Sequence, residues 1–315
     1  MFLQIILLII GFIILIKGAY FFVDGASGIA ENFHVSKMLI GLTIIAFGTS
    51  APEFAVSVKS LLAGSGDIVL GNVIGSNILN ILLILGLSSQ FHSLNVKNNT
   101  VKKELPITLL ITTLFACLLS DNLFDKTKNA FTRGDGITLI LFFLVFVYYL
   151  ISMMRNKIDE DEKTNTISLG KAILWTVGGI IAIVLGADTV VNSSSAIAKL
   201  LGVSERMISL TIIALGTSLP ELVTSISATR KGEYDIAIGN VVGSNIFNIG
   251  VVIGVPIAIF GGIGTVSFSY IDIIVMILAA LLLFIFSRND YKITRFEGLI
   301  FLLIFIIYYS YVIFV

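Results

Sequence analysis

Two glutamates lie in strongly apolar stretches of this chain, and each directly follows a proline. Glu53 ends the segment GTSAPE, and Glu221 ends the segment GTSLPE. An ionisable side chain at the centre of a membrane helix costs about 2.5 kcal/mol or more, so residues of this kind are usually functional. Carboxylate, hydroxyl and carbonyl oxygens are the ligands of hard cations such as calcium and sodium. The two glutamates therefore predict a cation site.

The prolines predict a break in each of the helices that carry the glutamates. Pro52 has no backbone N–H to donate, and it disfavours helical geometry at the residue before it. A break there frees backbone carbonyls around residues 46–49, close to the hydroxyls of Thr49 and Ser50 and to the carboxylate of Glu53. Irregular backbone at membrane depth is tolerated only where it is buried in protein or lines a water-filled cavity. The second copy repeats this arrangement with Ala214, Gly216, Thr217, Ser218, Pro220 and Glu221, and Ala214 matches Ala46.

A second motif follows each glutamate, as GNVIGSNILN at Gly71–Asn80 and as GNVVGSNIFN at Gly239–Asn248. Both motif pairs are separated by 168 residues, so the chain is a duplication. The glycine spacing favours close helix packing. Ser76 and Asn80 share a helix face, as do Ser244 and Asn248. Such side chains either hydrogen-bond between helices or supply ligands, and their recurrence in phase with the glutamates favours ligands. The remaining repeated polar residues are interpreted as packing residues, namely Asn72, Asn77, Asn240, Asn245, Ser57 and Ser225.

Composition excludes a soluble domain and several kinds of site. The mean hydropathy is +1.03, with 57% hydrophobic and only 13% charged residues. The net charge of zero gives no basic surface for nucleic acid. Cys117 is the single cysteine, which excludes disulfides and thiolate metal sites. His34 and His92 lie far apart in sequence, and they do not suggest a zinc pair. We expect no cofactor and no enzymatic activity.

Apolar runs predict an all-α integral membrane protein with ten transmembrane helices. The first run lacks the basic region and cleavage site of a signal peptide, so it is counted as a helix. The polar stretch 155–169 divides the chain into repeats 1–154 and 170–315, with five helices each. Because five is odd, the second repeat has inverted topology, and the broken helices lie at the bilayer midplane. The predicted spans are 2–24, 37–62, 68–89, 105–120, 136–154, 170–192, 204–229, 236–260, 268–287 and 296–314.

The distribution of lysine and arginine predicts the orientation. Of the 20 such residues, thirteen fall in loops on the side of the linker, six fall on the other side, and Lys17 lies within the first span. Cytoplasmic loops carry the excess of positive charge. We therefore expect a multi-pass protein of the cell membrane, with a cytoplasmic linker and both termini outside.

At these motifs the chain resembles the sodium/calcium exchanger family of the cation/calcium antiporter superfamily, as a prokaryotic member. The resemblance covers essentially the whole chain, and it implies sodium and calcium as transported ions. It implies these ligands: Glu53, Glu221, Thr49, Thr217, Ser50, Ser218, Ser76, Ser244 and Asn80, with backbone oxygens at Ala46 and Ala214. Potassium-dependent relatives have aspartate at the position of Asn248, so asparagine there indicates potassium-independent exchange with two carboxylates. Whether Asn248 contacts an ion stays open.

The sequence-based hypothesis is sodium/calcium antiport by alternating access, with three sodium ions exchanged electrogenically for one calcium ion. A proton/calcium antiporter is the alternative, because a glutamate in low dielectric can hold a proton. The proton-coupled branch typically has a G-N-x-x-E pattern that is absent here. A cation channel with a glutamate-lined filter is a further alternative. The sequence has no pair of residues at catalytic spacing that would support an intramembrane hydrolase. No protein partner is indicated beyond the lipid bilayer.

Overall fold

Long apolar helices make up most of the fold. The computed structural model describes residues 1–64, 66–120, 130–155, 167–202, 214–265 and 269–314. In chain order the helices are α1 (Phe2–Phe33), α2 (Lys37–Thr49), α3 (Ala51–Leu62), α4 (66–91), α5 (100–118), α6 (Arg133–Arg155), α7 (Leu169–Leu200), α8 (Ala214–Thr217), α9 (Leu219–Arg230), α10 (Tyr234–Phe260), α11 (Tyr270–Arg288) and α12 (Arg295–Phe314). α4 and α10 each contain a π-helical stretch, at Leu79–Leu85 and Asn248–Ile253. Such stretches are rare and often occur at functional sites.

Within the described ranges, seven helices are long and apolar enough to cross a membrane, or eight if the bent pair α2–α3 is one span. Helical residues occur in all ten of the predicted spans, although residues 204–213 and the central linker residues 156–166 lie outside what the structure describes. The first span was predicted to end at residue 24, but α1 continues to Phe33. Hydropathy indicates which part of a helix is apolar enough to lie in lipid, and it does not indicate where the helix ends. α1 continues beyond residue 24 because Ala26, Ile29 and Ala30 are still buried against other helices.

α1 and α7 pack against each other along most of their length. A Cβ atom added at Gly179 would lie 2.6 Å from the backbone nitrogen of Phe22, and one at Gly186 would lie 2.6 Å from that of Leu15. Glycine is required at both positions because any side chain would separate the two backbones. The two 32-residue helices therefore form one closely packed pair.

In the part of the chain that the structure describes, four short strands form two antiparallel pairs that the sequence does not predict. β1 (Leu94–Asn95), which follows α4, pairs with β4 (Lys292–Ile293), which precedes α12. β2 (Ala130–Phe131), which precedes α6, pairs with β3 (Ile263–Thr265), which follows α10. Each pair thus joins the end of a motif helix in one half to the start of the last helix in the other half.

Two ion pairs lie near the end of α9, and one of them holds α1 against the core. The Lys231 ammonium lies 2.6 Å from the Asp24 carboxylate and donates to the backbone oxygen of Tyr20 at 2.7 Å. Lys37, at the start of α2, pairs with Glu233 at 2.8 Å. The Lys231 contacts connect α1 to the end of α9, the helix that begins just before Glu221, whereas the Lys37 contact joins α2 to the start of α10.

Candidate cation site

Both glutamates lie in the first turn of a helix that starts after a backbone break. α2 and α3 meet at Ser50 with a bend of 45°, which is the break that Pro52 predicts. In the second half, α8 ends at Thr217 and α9 starts at Leu219, with Ser218 between them. Ser50 and Ser218 have nearly the same backbone angles, φ −84° and ψ 7° against φ −88° and ψ 4°. The duplicated motif therefore folds in the same way twice.

The serine at each break reaches the glutamate of the other half. Ser50 Oγ donates to Glu221 Oε1 at 2.8 Å, and Ser218 Oγ lies 3.3 Å from Glu53 Oε1. Both carboxylates are buried, with 1% of each side chain exposed. The two motifs, far apart in sequence, thus meet in one buried cluster, as predicted from the duplication.

The cluster contains acceptor oxygens that have no donor. Glu53 Oε2 and Glu221 Oε2 are buried and accept no hydrogen bond. The same holds for Asn80 Oδ1 and Asn248 Oδ1. A buried acceptor without a donor normally costs about 1–3 kcal/mol. All four belong to predicted ligands, and acceptor oxygens of this kind are suited to contact a hard cation.

Hydroxyl groups surround the two carboxylates. Ser76 Oγ lies 3.4 Å from Ser218 Oγ, and the hydroxyl of Ser244 faces the Glu221 carboxylate without a hydrogen bond of its own. The Thr217 side chain lies close to the Glu53 carboxylate. These groups come from α4, α8, the break between α8 and α9, and α10, so both halves contribute to the same cluster.

Two further predicted ligands, Thr49 and the Ala46 carbonyl, have hydrogen-bond partners other than the two carboxylates. Thr49 Oγ1 lies 3.1 Å from the Ile45 oxygen and 3.0 Å from Asn240 Oδ1, so its proton is engaged and its oxygen remains an acceptor. The Ala46 carbonyl accepts the Ser50 N–H at 3.0 Å, and Thr49 Oγ1 lies 3.4 Å from the same oxygen. Ala214 begins α8, at the position that matches Ala46.

Asparagines outside the predicted ligand set hold the glutamate helices in place. Asn72 Nδ2 donates to the Glu53 backbone oxygen at 3.1 Å and lies 3.1 Å from Ser57 Oγ. Asn240 Nδ2 makes the matching contacts to the backbone oxygen of Glu221 and to Ser225 Oγ, at 3.3 and 2.9 Å. The interpretation of these residues as packing residues is confirmed by these contacts.

The charge of the cluster comes from the two glutamates. Among the described residues, none of the ion pairs includes either carboxylate, and no group of three or more His, Cys, Asp or Glu could hold a metal. The other oxygen atoms belong to neutral amides, hydroxyls and carbonyls. The site therefore combines two acidic side chains with a shell of neutral oxygens.

A third buried carboxylate, which the sequence analysis missed, lies apart from this cluster. Glu104, on α5, accepts a hydrogen bond from the Tyr149 hydroxyl on α6, and its Oε2 has no partner. The residue is fully buried. Glu104 lies one residue before the start of the fourth predicted span, 105–120, and polar residues are normal at span ends, so nothing in the sequence singles it out.

A duplicated helical membrane protein with paired carboxylates at two helix breaks has the architecture of a secondary transporter. The chain belongs to the sodium/calcium exchanger protein family, whose profile matches residues 3–152 and 171–314. The two matched segments correspond to the two halves of the duplication.

Individual relatives match over nearly the whole chain. Sodium/calcium exchanger MaX1 of Methanosarcina acetivorans is 31% identical, with 96% of each chain covered. Inner membrane protein YrbG of Escherichia coli is 34% identical, with 88% of this chain and 86% of its own covered. The solved structure of the sodium-calcium exchanger NCX_Mj, soaked with 10 mM Na⁺ and no Ca²⁺, has a TM-score of 0.85 at 32% identity and covers 97% of both chains. The fold and the family assignment therefore agree.

Proposed function

We propose that this protein exchanges sodium for calcium across the cell membrane by alternating access at one central cation site. The observation that carries this proposal is the set of four buried oxygens without donors, on Glu53, Glu221, Asn80 and Asn248. Calcium binds six to eight oxygen ligands, and the neighbouring hydroxyls and carbonyls supply the remainder. The ligands are Glu53, Glu221, Thr49, Thr217, Ser50, Ser218, Ser76, Ser244, Asn80, Asn248 and the backbone oxygens of Ala46 and Ala214.

Charge balance suggests the coupling. Two ionised glutamates carry a charge of −2, which one calcium ion neutralises, whereas three sodium ions leave one positive charge. Exchange of three sodium ions for one calcium ion would then move net charge across the membrane. Asn248 contributes an amide instead of a third carboxylate, which favours exchange that does not require potassium. Because both ions use the same carboxylates, they compete for the site.

An inverted repeat of two five-helix halves, 1–154 and 170–315, accounts for the pairing of the short strands. β1 follows a motif helix of the first half and pairs with β4 of the second, and β3 and β2 form the reciprocal pair. Such reciprocity is what an approximate two-fold axis in the membrane plane produces. With the linker 155–169 on the cytoplasmic side, both termini are extracellular.

The closely packed α1–α7 pair is the mobile part of this mechanism, and it slides against the remaining helices to open one side and then the other. Its glycine contacts, at Gly179 and Gly186, keep the two helices together during the movement. The site residues belong to other helices, so the ions stay in place while access changes.

A gradient-swap assay in reconstituted vesicles tests the proposal. Calcium uptake driven by an outward sodium gradient at clamped pH, and unaffected by potassium, is the expected result. Uptake driven by a pH gradient in the absence of sodium would instead identify a proton/calcium antiporter. Calcium flux that needs no counter-ion would identify a channel. A membrane potential that is positive on the side receiving sodium should slow the exchange if it moves net charge.

A further inference from the structure

Four buried asparagines form hydrogen bonds between α4 and α10. Asn77 and Asn80 lie on α4, and Asn245 and Asn248 lie on α10. Each is at most 2% exposed. An amide side chain has a donor end and an acceptor end, so its orientation decides which of the two it offers to a neighbouring ion.

A backbone carbonyl fixes the direction of these hydrogen bonds. Asn245 Nδ2 lies 3.4 Å from the backbone oxygen of Asn77, which can only accept. The oxygen of the Asn245 amide therefore points the other way, and it accepts from Asn80 Nδ2 at 2.9 Å. Because Asn80 donates through its nitrogen, its Oδ1 is directed elsewhere, where it is buried and has no donor.

The other half repeats this arrangement with a longer contact. Asn248 Nδ2 lies 3.5 Å from Asn77 Oδ1, and Asn248 Oδ1 is also buried without a donor. The two pairs are equivalent in the duplication, because Asn80 matches Asn248 and Asn77 matches Asn245, each at an offset of 168 residues. The second pair is held less firmly, since Asn77 Nδ2 has no partner of its own.

We propose that Asn245 is a positioning residue, and that Asn77 has the same role more weakly. Asn245 binds the N–H end of the Asn80 amide, so that the amide oxygen faces the cation. With the opposite orientation Asn80 would present its N–H groups to the cation, and their partial positive charge would repel the cation. The inference rests on the proposed function because it requires a cation at the site, and it assigns a role to a residue that contacts no ion.

A double-variant experiment separates orientation from packing. Asn245→Leu removes the acceptor for Asn80, and we expect calcium binding to weaken by about tenfold, the lower end of what outer-shell partners contribute to metal affinity. In the background of Asn80→Asp the same change should have little effect. A carboxylate has two equivalent oxygens, so no partner is needed to orient it.

Asn248→Asp is the matched control, because it adds the same charge at the position that pairs with Asn77. In that background Asn245→Leu should still weaken binding by about tenfold. The measurement is equilibrium binding of radioactive Ca²⁺ to the purified full-length protein in detergent, without sodium, with the melting temperature recorded for each variant. If Asn245→Leu does not fold, Asn245→Ala is tested by the same criteria.

The possible results are distinct. Loss of affinity in the wild-type and Asn248→Asp backgrounds, but not in Asn80→Asp, supports the inference. An equal loss in all three backgrounds overturns it and shows that Asn245 acts through packing. Unchanged affinity in the wild-type background also overturns it. If the wild-type protein itself bound no Ca²⁺, the cation site would be refuted, and the role of Asn245 with it.

Discussion

Replacing Glu53 with glutamine tests whether the buried carboxylates bind the cation. The substitution keeps the size of the side chain and removes one of two charges. Glu53 Oε2 has no hydrogen-bond donor, and its Oε1 has a 3.3 Å contact to Ser218 Oγ. Removing one partner of a buried charge pair costs about 3–5 kcal/mol. At 1.4 kcal/mol for each factor of ten, Glu53→Gln should weaken Ca²⁺ binding by about 10²- to 10⁴-fold.

The same substitution should have the opposite effect on the ion-free protein. A buried carboxylate without a counter-ion destabilises the fold, so the ion-free Glu53→Gln variant should melt at a higher temperature than the wild type. Added Ca²⁺ should raise the melting temperature of the wild type but not that of the variant. Binding of radioactive Ca²⁺ in sodium-free detergent solution and thermal unfolding measure the two effects.

Glu104→Gln is the matched control for this experiment. Glu104 is equally buried and also has an oxygen without a partner, but it contacts Tyr149, away from the cluster. Its replacement should leave Ca²⁺ affinity within about twofold of the wild type, since the removed charge lies outside the ion's ligand shell. Normal Ca²⁺ affinity in Glu53→Gln, or an equal loss in Glu104→Gln, would refute the assignment of the site.

Two further predictions concern the contacts around the site. Ser50→Ala should weaken Ca²⁺ binding by about tenfold and Ser218→Ala by about threefold, since the first serine holds its glutamate at 2.8 Å and the second at 3.3 Å; the reverse order in the same binding assay would contradict this ranking. Breaking the ion pair of Lys231 with Asp24, by Lys231→Ala or Asp24→Asn, should change the ratio of apparent Ca²⁺ affinities at the two membrane faces by up to about fivefold, as expected for about 1 kcal/mol. Flux assays that present Ca²⁺ at one membrane face at a time measure that ratio, and Lys292→Ala should leave it unchanged. An unaltered ratio in Lys231→Ala and Asp24→Asn would show that the ion pair does not bias access.

The break in each glutamate helix could be predicted from the sequence because its cause is local. A proline removes one backbone donor and restricts the preceding residue wherever it occurs. The duplication then required that the two breaks have the same local structure. The meeting of Ser50 with Glu221, and of Ser218 with Glu53, follows once the two breaks face each other.

The partners of the asparagines could not be predicted in the same way. Asn80 and Asn245 are 165 residues apart, and their contact depends on how far α4 and α10 are shifted along each other. Spacing within one helix shows which residues share a face, but it does not show which residue of another helix lies opposite. Asn77 and Asn245 were interpreted as packing residues for this reason.

Hydropathy also did not predict the features at the ends of the helices. The last turns of α1 are less apolar than its centre, and they stay helical through packing against neighbouring helices. The two-residue strands, such as β1, are too short to have a sequence pattern and form where the chain ends of two helices lie side by side. Glu104 was overlooked because the fold buries a position that the sequence places at the edge of a span.

The duplicated halves differ most in the contacts that hold the mobile helices. Lys231 of the second half pairs with Asp24 on α1, but the positions 168 residues away are Ala63 and Asn192. Asn192 donates to Asp188 on α7 itself, at 3.0 Å, and an alanine cannot replace the lysine. The approximate two-fold symmetry therefore relates the cation-site residues of the two halves, but it does not relate the Lys231–Asp24 ion pair to a second one. If the α1–α7 pair moves between two related positions, one position has the ion pair and the other lacks it, so the two access states differ in free energy even though they bind the ion with the same residues.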